Sequence, residues 1–270
     1  MKIQISKPTP LANAPDELCY AINKWTPHQA FMSNEPSEYA DIIMFSNAYF
    51  PTDVPAAIWY HSEPEWPGVM LDCPYRKLVN AQYHATLPEY ADCTPVRNVI
   101  NFDRPEYNIK PIHNPRIAYS PSAKKNVGRW HHKGYKETNA ALKASGLKHD
   151  IITDVPLCEC LERKRNCSIV IDECVTGSYH RSALEGLAMG KVVVGYLSDE
   201  VNAVATKACG AWLPIRNTRM YELGDTLKGL TETNLVKDGF MNRVWMLNNW
   251  HPARIANEFV KIFEEVINEK

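Results

Sequence analysis

Short apolar runs alternate with polar, helix-compatible stretches along the whole chain. Apolar runs of this length, bounded by turn-forming residues, are typical of buried β-strands. In the first half they predict strands at residues 2–6, 29–33, 41–45, 56–61, 78–81 and 94–96. In the second half they predict strands at residues 116–120, 150–155, 168–172, 191–196 and 211–215. Because the stretches between them have the length of crossover connections, both series indicate parallel sheets.

Helices are predicted between these strands. One covers residues 135–145 and another residues 182–189, and each is followed by a glycine suited to a left-handed helix stop. Prolines are frequent in the first half, which predicts short helices there. After Pro252, apolar residues recur at helical spacing and predict a terminal amphipathic helix; they are Ile255, Phe259, Ile262, Phe263 and Val266.

The two strand series meet near residues 108–115. We therefore expect an α/β protein with two Rossmann-like domains that face each other across a cleft. The expected boundaries are residues 1–113 for the first domain and 114–250 for the second. The terminal helix, residues 251–270, either packs on the second domain or crosses back to the first.

Composition indicates an ordinary soluble globular protein. Apolar residues make up 45% of the 270, which is ample for packed cores. The first residues contain no apolar run of signal-peptide length, and no segment has the 18 or more uninterrupted apolar residues of a membrane span. A cytoplasmic location is expected, and there the eight cysteines stay reduced.

The charge is unevenly distributed. Residues 1–113 carry 8 Lys and Arg against 13 Asp and Glu, whereas the remainder carries 22 against 18. Within residues 116–136 there are six basic side chains and no acidic one. Such a local cationic segment indicates a bound anion, or else a solvated basic loop, but not the wide basic face of a general nucleic-acid binder.

The richest chemistry lies in residues 168–195. The pattern there is strand, Gly-Ser loop, short helix and strand, with Glu185 one turn inside the helix. Backbone N–H groups at a helix start suit an anion, and a carboxylate accepts hydrogen bonds from sugar hydroxyls. Together they suit a nucleotide-sugar. The apolar neighbours of Glu185 indicate a buried helix, where a carboxylate needs a partner.

Several of these motifs occur in the order found in a known enzyme family. They are residues 117–122, Lys133-Gly134, Asp154-Val155-Pro156, residues 169–172 and residues 182–190. In this region, about 80 residues long, the chain resembles the retaining glycosyltransferases of GT-B architecture, the group 1 or family 4 set. Weaker similarity extends to residues 58–64, 96–101 and the terminal helix. The resemblance implies transfer of a hexosyl or pentosyl group.

The resemblance also implies roles for individual residues. Arg129 and Lys133 would hold the donor diphosphate and neutralise the leaving group, and Glu185 would bind the ribose. The remaining donor-binding candidates are Ser122, Gly134, Asp154, Val155, Gly177, Ser178, Tyr179 and His180. The sequence has no Asp-x-Asp motif, so metal-independent chemistry without a cofactor is expected. One departure is Gly177, which stands where the family usually has a sugar-binding acid and so leaves the stereochemistry open.

His61 and Glu63 follow a predicted strand of the first half. The resemblance places His61 near the reacting centre, where it would contact the sugar or steer the acceptor hydroxyl; a packed or capping histidine is the alternative. Glu63 is a candidate general base in an inverting variant.

The sequence thus predicts a glycosyltransferase that uses a nucleotide-sugar donor such as a UDP- or GDP-sugar. The acceptor is a glycan, a small molecule or, in one alternative, a modified base of viral DNA, against which the acidic first half argues. The other alternative is a non-catalytic nucleotide-sugar-binding module. The sequence does not determine the oligomeric state.

Overall fold

The protein is described by a computed structural model that covers residues 1–7, 13–121, 133–231 and 233–269. The chain forms two compact units. The first comprises Met1–Asn101, Val204–Gly210 and Trp250–Lys270, and the second comprises Phe102–Ala203 and Ala211–Asn249. Both units are built from a parallel β-sheet with helical connections, as the sequence predicts.

The sheet of the first unit has six parallel strands in the order β2-β1-β3-β4-β5-β6. Their bounds are Lys2–Ile5 (β1), Gln29–Met32 (β2), Ile42–Ser46 (β3), Ala56–Tyr60 (β4), Arg76–Asn80 (β5) and Thr94–Val96 (β6). Every residue of β3 and β4 is buried, which explains why these strands read as continuous apolar runs. Short 3₁₀ turns at Tyr83–Thr86 and Pro88–Tyr90 follow β5.

Two helices of the first unit pack against each other: α1, Ala14–Trp25, and the terminal α8, Pro252–Asn268. The predicted apolar face of α8 is confirmed, because Ile255, Phe259, Phe263 and Val266 are buried. Just before α8, the Trp250 Nε1–H donates to the Asn98 carbonyl at 2.9 Å. These contacts attach the C-terminal segment to the first unit.

The sheet of the second unit has five parallel strands in the order β11-β10-β9-β7-β8. They span Arg116–Tyr119 (β7), Lys148–Ile151 (β8), Ile169–Ile171 (β9), Val192–Gly195 (β10) and Arg216–Asn217 (β11). The helices in this part of the chain are α2 (Tyr135–Ser145), α3 (Leu157–Arg165), α4 (Arg181–Ala188), α5 (Asp199–Cys209), α6 (Leu223–Leu230) and α7 (Leu235–Asn249), and α5 ends within the segment that belongs to the first unit. Short 3₁₀ turns lie at Pro105–Tyr107 and Met220–Glu222. The predicted helix bounds of α2 are confirmed, and the glycine after it has a positive φ of 67°.

The two edge strands of this sheet were wrongly placed by the sequence pattern. β8 begins two residues earlier than predicted, in a polar stretch that an edge position tolerates. β11 follows the apolar segment 211–215 instead of coinciding with it. In that segment Pro214 lacks a donor for the sheet ladder and Trp212 is 65% exposed. The positions of apolar residues alone therefore do not locate edge strands correctly, because an edge strand has a neighbouring strand on one side only.

Helix α8 is the longest helix in the described part of the chain, and it carries charged residues throughout its exposed face. Across the described ranges, no helix combines the length and the apolar character that a membrane crossing requires.

Candidate functional site

The strand order of the second unit reverses direction at β7. From β7 the chain moves outward to β8, and it then returns across β7 to form β9 on the other side. In open parallel sheets, ligands bind beyond the carboxyl ends of the strands at such a switch point. The segments that follow β7 and β9 are Ser120-Pro121 and residues 172–180. They contain several of the candidates proposed from the sequence.

The loop after β9 is shaped by Glu173. Its carboxylate accepts hydrogen bonds from the N–H groups of Val175 at 2.8 Å and Thr176 at 2.9 Å, and also from the Thr176 hydroxyl. Glu173 is 2% exposed. These hydrogen bonds to the buried Glu173 carboxylate therefore fix the conformation of the loop. Because Glu173 is buried and is held by these three bonds within its own loop, it is not placed to replace an acid at position 177.

Asp172 connects this loop to the start of α4. Its Oδ2 atom accepts a hydrogen bond from the His180 N–H at 2.7 Å and lies 3.3 Å from His180 Nδ1. The Asp172 side chain is 5% exposed and that of His180 is 25% exposed. Ser178 and Tyr179, between them, are buried. Of these three donor-binding candidates, His180 has the most exposed side chain.

Gly177 adopts a left-handed conformation with φ of 78°. A Cβ atom at this position would lie 3.1 Å from Ser198 Cβ and 3.2 Å from the Tyr196 ring. The Gly177 carbonyl also accepts a hydrogen bond from the Ser198 N–H at 2.9 Å. The loop after β9 is therefore packed against the loop after β10, and glycine is the residue that both the backbone and the space require.

Gly177→Ala is expected to lower the free energy of unfolding by about 1–2 kcal/mol, because it combines left-handed strain with the contacts to Ser198 and Tyr196. Gly146→Ala is the matched control, since Gly146 has a similar φ of 67° but no atom within 4 Å of the added Cβ. The control should cost only about 1 kcal/mol. Urea unfolding of both variants measures the difference, and equal losses would show that the packing against Ser198 contributes nothing.

Glu185 is buried on α4 and forms two ion pairs. Lys164 Nζ, from α3, donates to Glu185 Oε2 at 2.7 Å, and Arg181 Nε donates to Oε1 at 2.9 Å. The side chains of Glu185 and Lys164 are each 3% exposed. Burial alone would raise the pKa of Glu185, but Lys164 and Arg181 outweigh burial and hold this pKa below its ordinary value. The carboxylate is therefore ionised, and each oxygen keeps a lone pair for a further donor.

A serine pair joins Glu185's helix to the end of β7. Ser120 Oγ and Ser182 Oγ are 3.1 Å apart, so one of them donates to the other. We call the group formed by Ser120, Lys164, Arg181, Ser182 and Glu185 the switch-point cluster. Of these five, the sequence analysis assigned a role only to Glu185; Ser120 and Ser182 lie within motifs that carry the resemblance, and Lys164 and Arg181 were missed. Arg181 was recognisable from its spacing of four residues to Glu185, whereas Lys164 comes from another helix and gave no signal.

The start of α2 lies against the loop after β9. Gly134 has a φ of 69°, and a Cβ there would lie 2.8 Å from Val175 Cγ2 and 2.5 Å from Met220 Cε. Any larger residue would displace both side chains. Lys133, which is half-buried, immediately precedes this glycine. The fold thus brings the Lys133-Gly134 pair next to the loop formed by residues 172–180.

The remaining donor-binding candidates of the second unit do not belong to the switch-point cluster or to the loop of residues 172–180. Asp154 and Val155 follow the edge strand β8, on the far side of β7 from β9. Asp154 is exposed and has a φ of 56°, while Val155 is half-buried. Ser122 and Arg129 lie outside the described residues. Within the described ranges, no three His, Cys, Asp or Glu side chains form an arrangement that could hold a metal ion.

His61 follows β4 in the first unit. Its N–H donates to Asn47 Oδ1 at 2.8 Å, and its ring packs on Trp59 with centroids 4.1 Å apart. The His61 Nε2 atom is buried without a hydrogen-bond partner among the described residues. Burial, with smaller effects of His84 and Lys7, lowers the pKa of His61 to about 3. The ring is neutral at neutral pH, and Nε2 is able to exchange a hydrogen bond with a ligand.

Protein stability should therefore depend on pH through His61. In the unfolded chain a histidine has a pKa of about 6.5, so stability is fully present above that pH and is lost as the pH falls toward 3. When the pH is lowered from 7 to 5, His61 alone should reduce the free energy of unfolding by about 2 kcal/mol. His61→Phe keeps an aromatic ring against Trp59 and should remove that part of the loss. Urea unfolding at both pH values tests this, and identical pH dependence in the variant and the native protein would contradict it.

Glu63, two residues further on, is buried near a second histidine. Its Oε1 atom lies 3.7 Å from His84 Nε2. The hydroxyls of Ser6 and Ser46, at the ends of β1 and β3, are buried without partners among the described residues. Polar groups therefore collect at the carboxyl edge of the first unit's sheet as well.

Comparison with known proteins adds to this picture. Neither a protein-family model nor a curated protein sequence matches the chain. Among solved structures, the chain is similar over 100% of its length to AviGT4, a glycosyltransferase involved in avilamycin A biosynthesis, with 98% of that chain covered, 12% identity and a TM-score of 0.58. It is similar over 98% of its length to HepE of Anabaena in complex with UDP-glucose, with 100% of that chain covered, 13% identity and a TM-score of 0.59.

A third similar structure is a mutant O-GlcNAc transferase of Thermobaculum terrenum. Here 100% of the present chain and 68% of the other are covered, with 11% identity and a TM-score of 0.61. At such identities, similarity establishes the fold alone. The chain has the GT-B fold, with two Rossmann-like α/β domains, and this part of the sequence-based expectation is confirmed.

Proposed function

We propose that the protein is a glycosyltransferase that moves a sugar from a nucleotide-diphosphate donor to an acceptor hydroxyl. The single observation that carries this proposal is Glu185, an ionised and buried carboxylate at the switch point of a GT-B domain. A buried charge is costly unless groups around it are arranged to hold it. Lys164 and Arg181 hold Glu185 without using all of its lone pairs.

The remaining lone pairs of Glu185 suit the two hydroxyls of a ribose. The diphosphate would then lie near the start of α4 and near Lys133, beside the loop of residues 172–180. Arg129 is assigned to the same diphosphate from the sequence. Positive side chains at this place stabilise the charge that develops on the leaving group when the glycosidic bond breaks, which is a role that requires no metal.

Uridine is the first nucleoside to test. HepE of Anabaena, one of the similar structures, is described in complex with UDP and with UDP-glucose. We propose UDP-sugars as donors and retention of stereochemistry as the outcome. His61 is proposed to contact the sugar or the acceptor hydroxyl, because its ring is neutral and its Nε2 atom is unpartnered among the described residues.

Nucleoside diphosphate release tests this function directly. The purified protein is mixed with a panel of UDP-, GDP- and dTDP-sugars, first with water as the only acceptor and then with a set of glycans and small alcohols. We expect slow hydrolysis of one nucleotide class and faster release when a suitable acceptor is present. Silence with every donor, together with no detectable nucleotide binding, would refute the proposal.

One observation favours a second candidate, a non-catalytic nucleotide-sugar-binding module. Gly177 stands where the resemblance implies a sugar-binding acid, and its left-handed conformation disfavours a larger residue. Calorimetry separates the two functions. Tight binding of a nucleotide-sugar without turnover, across the whole acceptor set, would favour the module.

A further inference from the structure

A cavity lies in the second unit, at the opposite edge of the sheet from the switch-point cluster. It has a volume of about 330 Å³ and is lined by Ser168 and Lys191, which precede β9 and β10, and by the first turn of α7. Cavities of this size hold small organic molecules in other proteins. None of the residues considered for glycosyl transfer lines it.

Lys191 is the unusual residue of this cavity. It is 1% exposed, and its ammonium group donates to the carbonyls of Lys110 and Arg165, both at 2.8 Å. Both acceptors are neutral, and Lys191 forms no ion pair within the described part of the chain. An ammonium group has three N–H donors, so one of them is left without an acceptor among the described residues. A buried lysine with neutral partners and one unused donor is costly for the fold alone.

Further positive charge surrounds this lysine. Lys110 and Lys237 line the same cavity, and both are exposed. The first turn of α7 also faces it, and there the Asn234 side chain caps the Lys237 N–H at 3.0 Å. A helix N-terminus adds partial positive charge. The acid of that turn, Asp238, lines a separate cavity.

The rest of the lining is apolar. Ile109, Leu235, Val236 and Phe240 form walls, and Phe240 is 54% exposed while Ile109 is 42% exposed. Exposed apolar side chains next to a cavity indicate a ligand with an apolar part. The cavity lining thus combines positively charged and apolar side chains, and such a lining favours a ligand that has both an anionic and an apolar part.

We propose that this cavity binds a small amphiphilic anion: a carboxylate or phosphate monoester attached to a short aliphatic or aromatic body. The anionic group would accept a hydrogen bond from the third N–H of Lys191 and would form ion pairs with Lys110 and Lys237. The apolar body would cover Leu235 and Phe240. This site is independent of glycosyl transfer.

Calorimetry on the whole chain tests the site with four probes: hexyl phosphate, octanoate, 1-hexanol and inorganic phosphate. We expect one of the two amphiphilic anions to bind at least tenfold more tightly than both 1-hexanol and inorganic phosphate. Lys191→Met should abolish this preference. The control is Lys143→Met, an exposed lysine on α2 outside the cavity, which should bind as the native protein does.

Two further measurements decide the matter even if Lys191→Met does not fold. Val236→Trp fills the cavity, leaves Lys191 in place and should weaken binding of the preferred anion at least tenfold. Burial, with repulsion from Lys110 and Arg165 and an opposing effect of Cys167, lowers the pKa of Lys191 to about 8. A bound anion should raise it again, so binding at pH 8.5 should take up about three-quarters of a proton.

Proton uptake is measured in two buffers that differ in ionisation enthalpy. The proposal is overturned if neither amphiphilic anion binds more tightly than 1-hexanol and inorganic phosphate, if no anion binding saturates, if Val236→Trp binds the preferred anion with native affinity, or if that anion binds without proton uptake.

Discussion

Replacing Glu185 by alanine is expected to lower the free energy of unfolding by about 3–5 kcal/mol and to abolish donor binding. The loss of stability follows from Lys164, whose side chain is 3% exposed and would be left as a buried charge without its carboxylate. The loss of binding follows from the proposed role of Glu185 as the acceptor for ribose hydroxyls. Urea unfolding and calorimetry with a nucleoside diphosphate measure the two effects separately.

A double variant separates the two effects. Lys164→Met combined with Glu185→Met replaces the buried pair by apolar side chains of similar length and should recover most of the lost stability. Arg181, with 20% of its side chain exposed, can turn to solvent. The folded double variant should still fail to bind the nucleotide. If it binds with native affinity, Glu185 has a structural role only.

The control for this experiment is an exposed ion pair on a neighbouring helix. Glu162 pairs with Arg165 on α3 at 2.6 Å, and its side chain is 48% exposed. Glu162→Ala should change stability by less than about 1 kcal/mol and leave nucleotide binding unchanged. A comparable loss in this control would point to a general effect of removing acids from the second unit.

Lys133→Ala is expected to lower kcat/KM by about 10²–10³-fold while the protein remains folded. The expected cause is loss of positive charge beside the leaving diphosphate, since Lys133 directly precedes Gly134, which packs against Val175 of the loop after β9. The matched control is Lys136→Ala, because Lys136 lies exposed on the first turn of α2. Steady-state kinetics with the identified donor measures both variants.

Lys133→Arg refines this test. Arginine keeps the charge, so we expect it to restore at least part of the activity lost in the alanine variant. A general effect of truncating side chains near α2 would lower activity equally in Lys133→Ala and Lys136→Ala. Native kcat/KM in Lys133→Ala would remove this lysine from the proposed donor site.

Most of the fold could be predicted from the order of apolar runs. Strands β3, β4 and β9 are buried throughout, so their sequences are continuous apolar segments that the pattern identifies. The buried face of α8 could likewise be predicted, because its apolar residues recur at helical spacing. The edge strands β8 and β11 were misplaced because one side of each has no neighbouring strand, and polar residues are tolerated there.

The candidate site was only partly visible. Glu185 could be identified because apolar residues surround it in the sequence and a buried acid must have a partner. Its principal partner, Lys164, could not be identified, because it lies 21 residues away on α3 and sequence spacing does not encode that approach. Lys191 was missed for a similar reason. The sequence analysis assigned it no role beyond the first position of a predicted strand, because its two acceptors, the carbonyls of Lys110 and Arg165, come from distant segments.

The sequence by itself determined the alternation of strands and helices, the two parallel sheets and the acid at the start of α4, because these depend on local periodicity and on residue type. Only the tertiary structure decided how that acid is neutralised, that Gly177 packs closely against Ser198 and Tyr196, and that Lys191 is buried without a carboxylate partner among the described residues. Each of these depends on contacts between segments distant in the chain, where burial and the distance between charges set the energy.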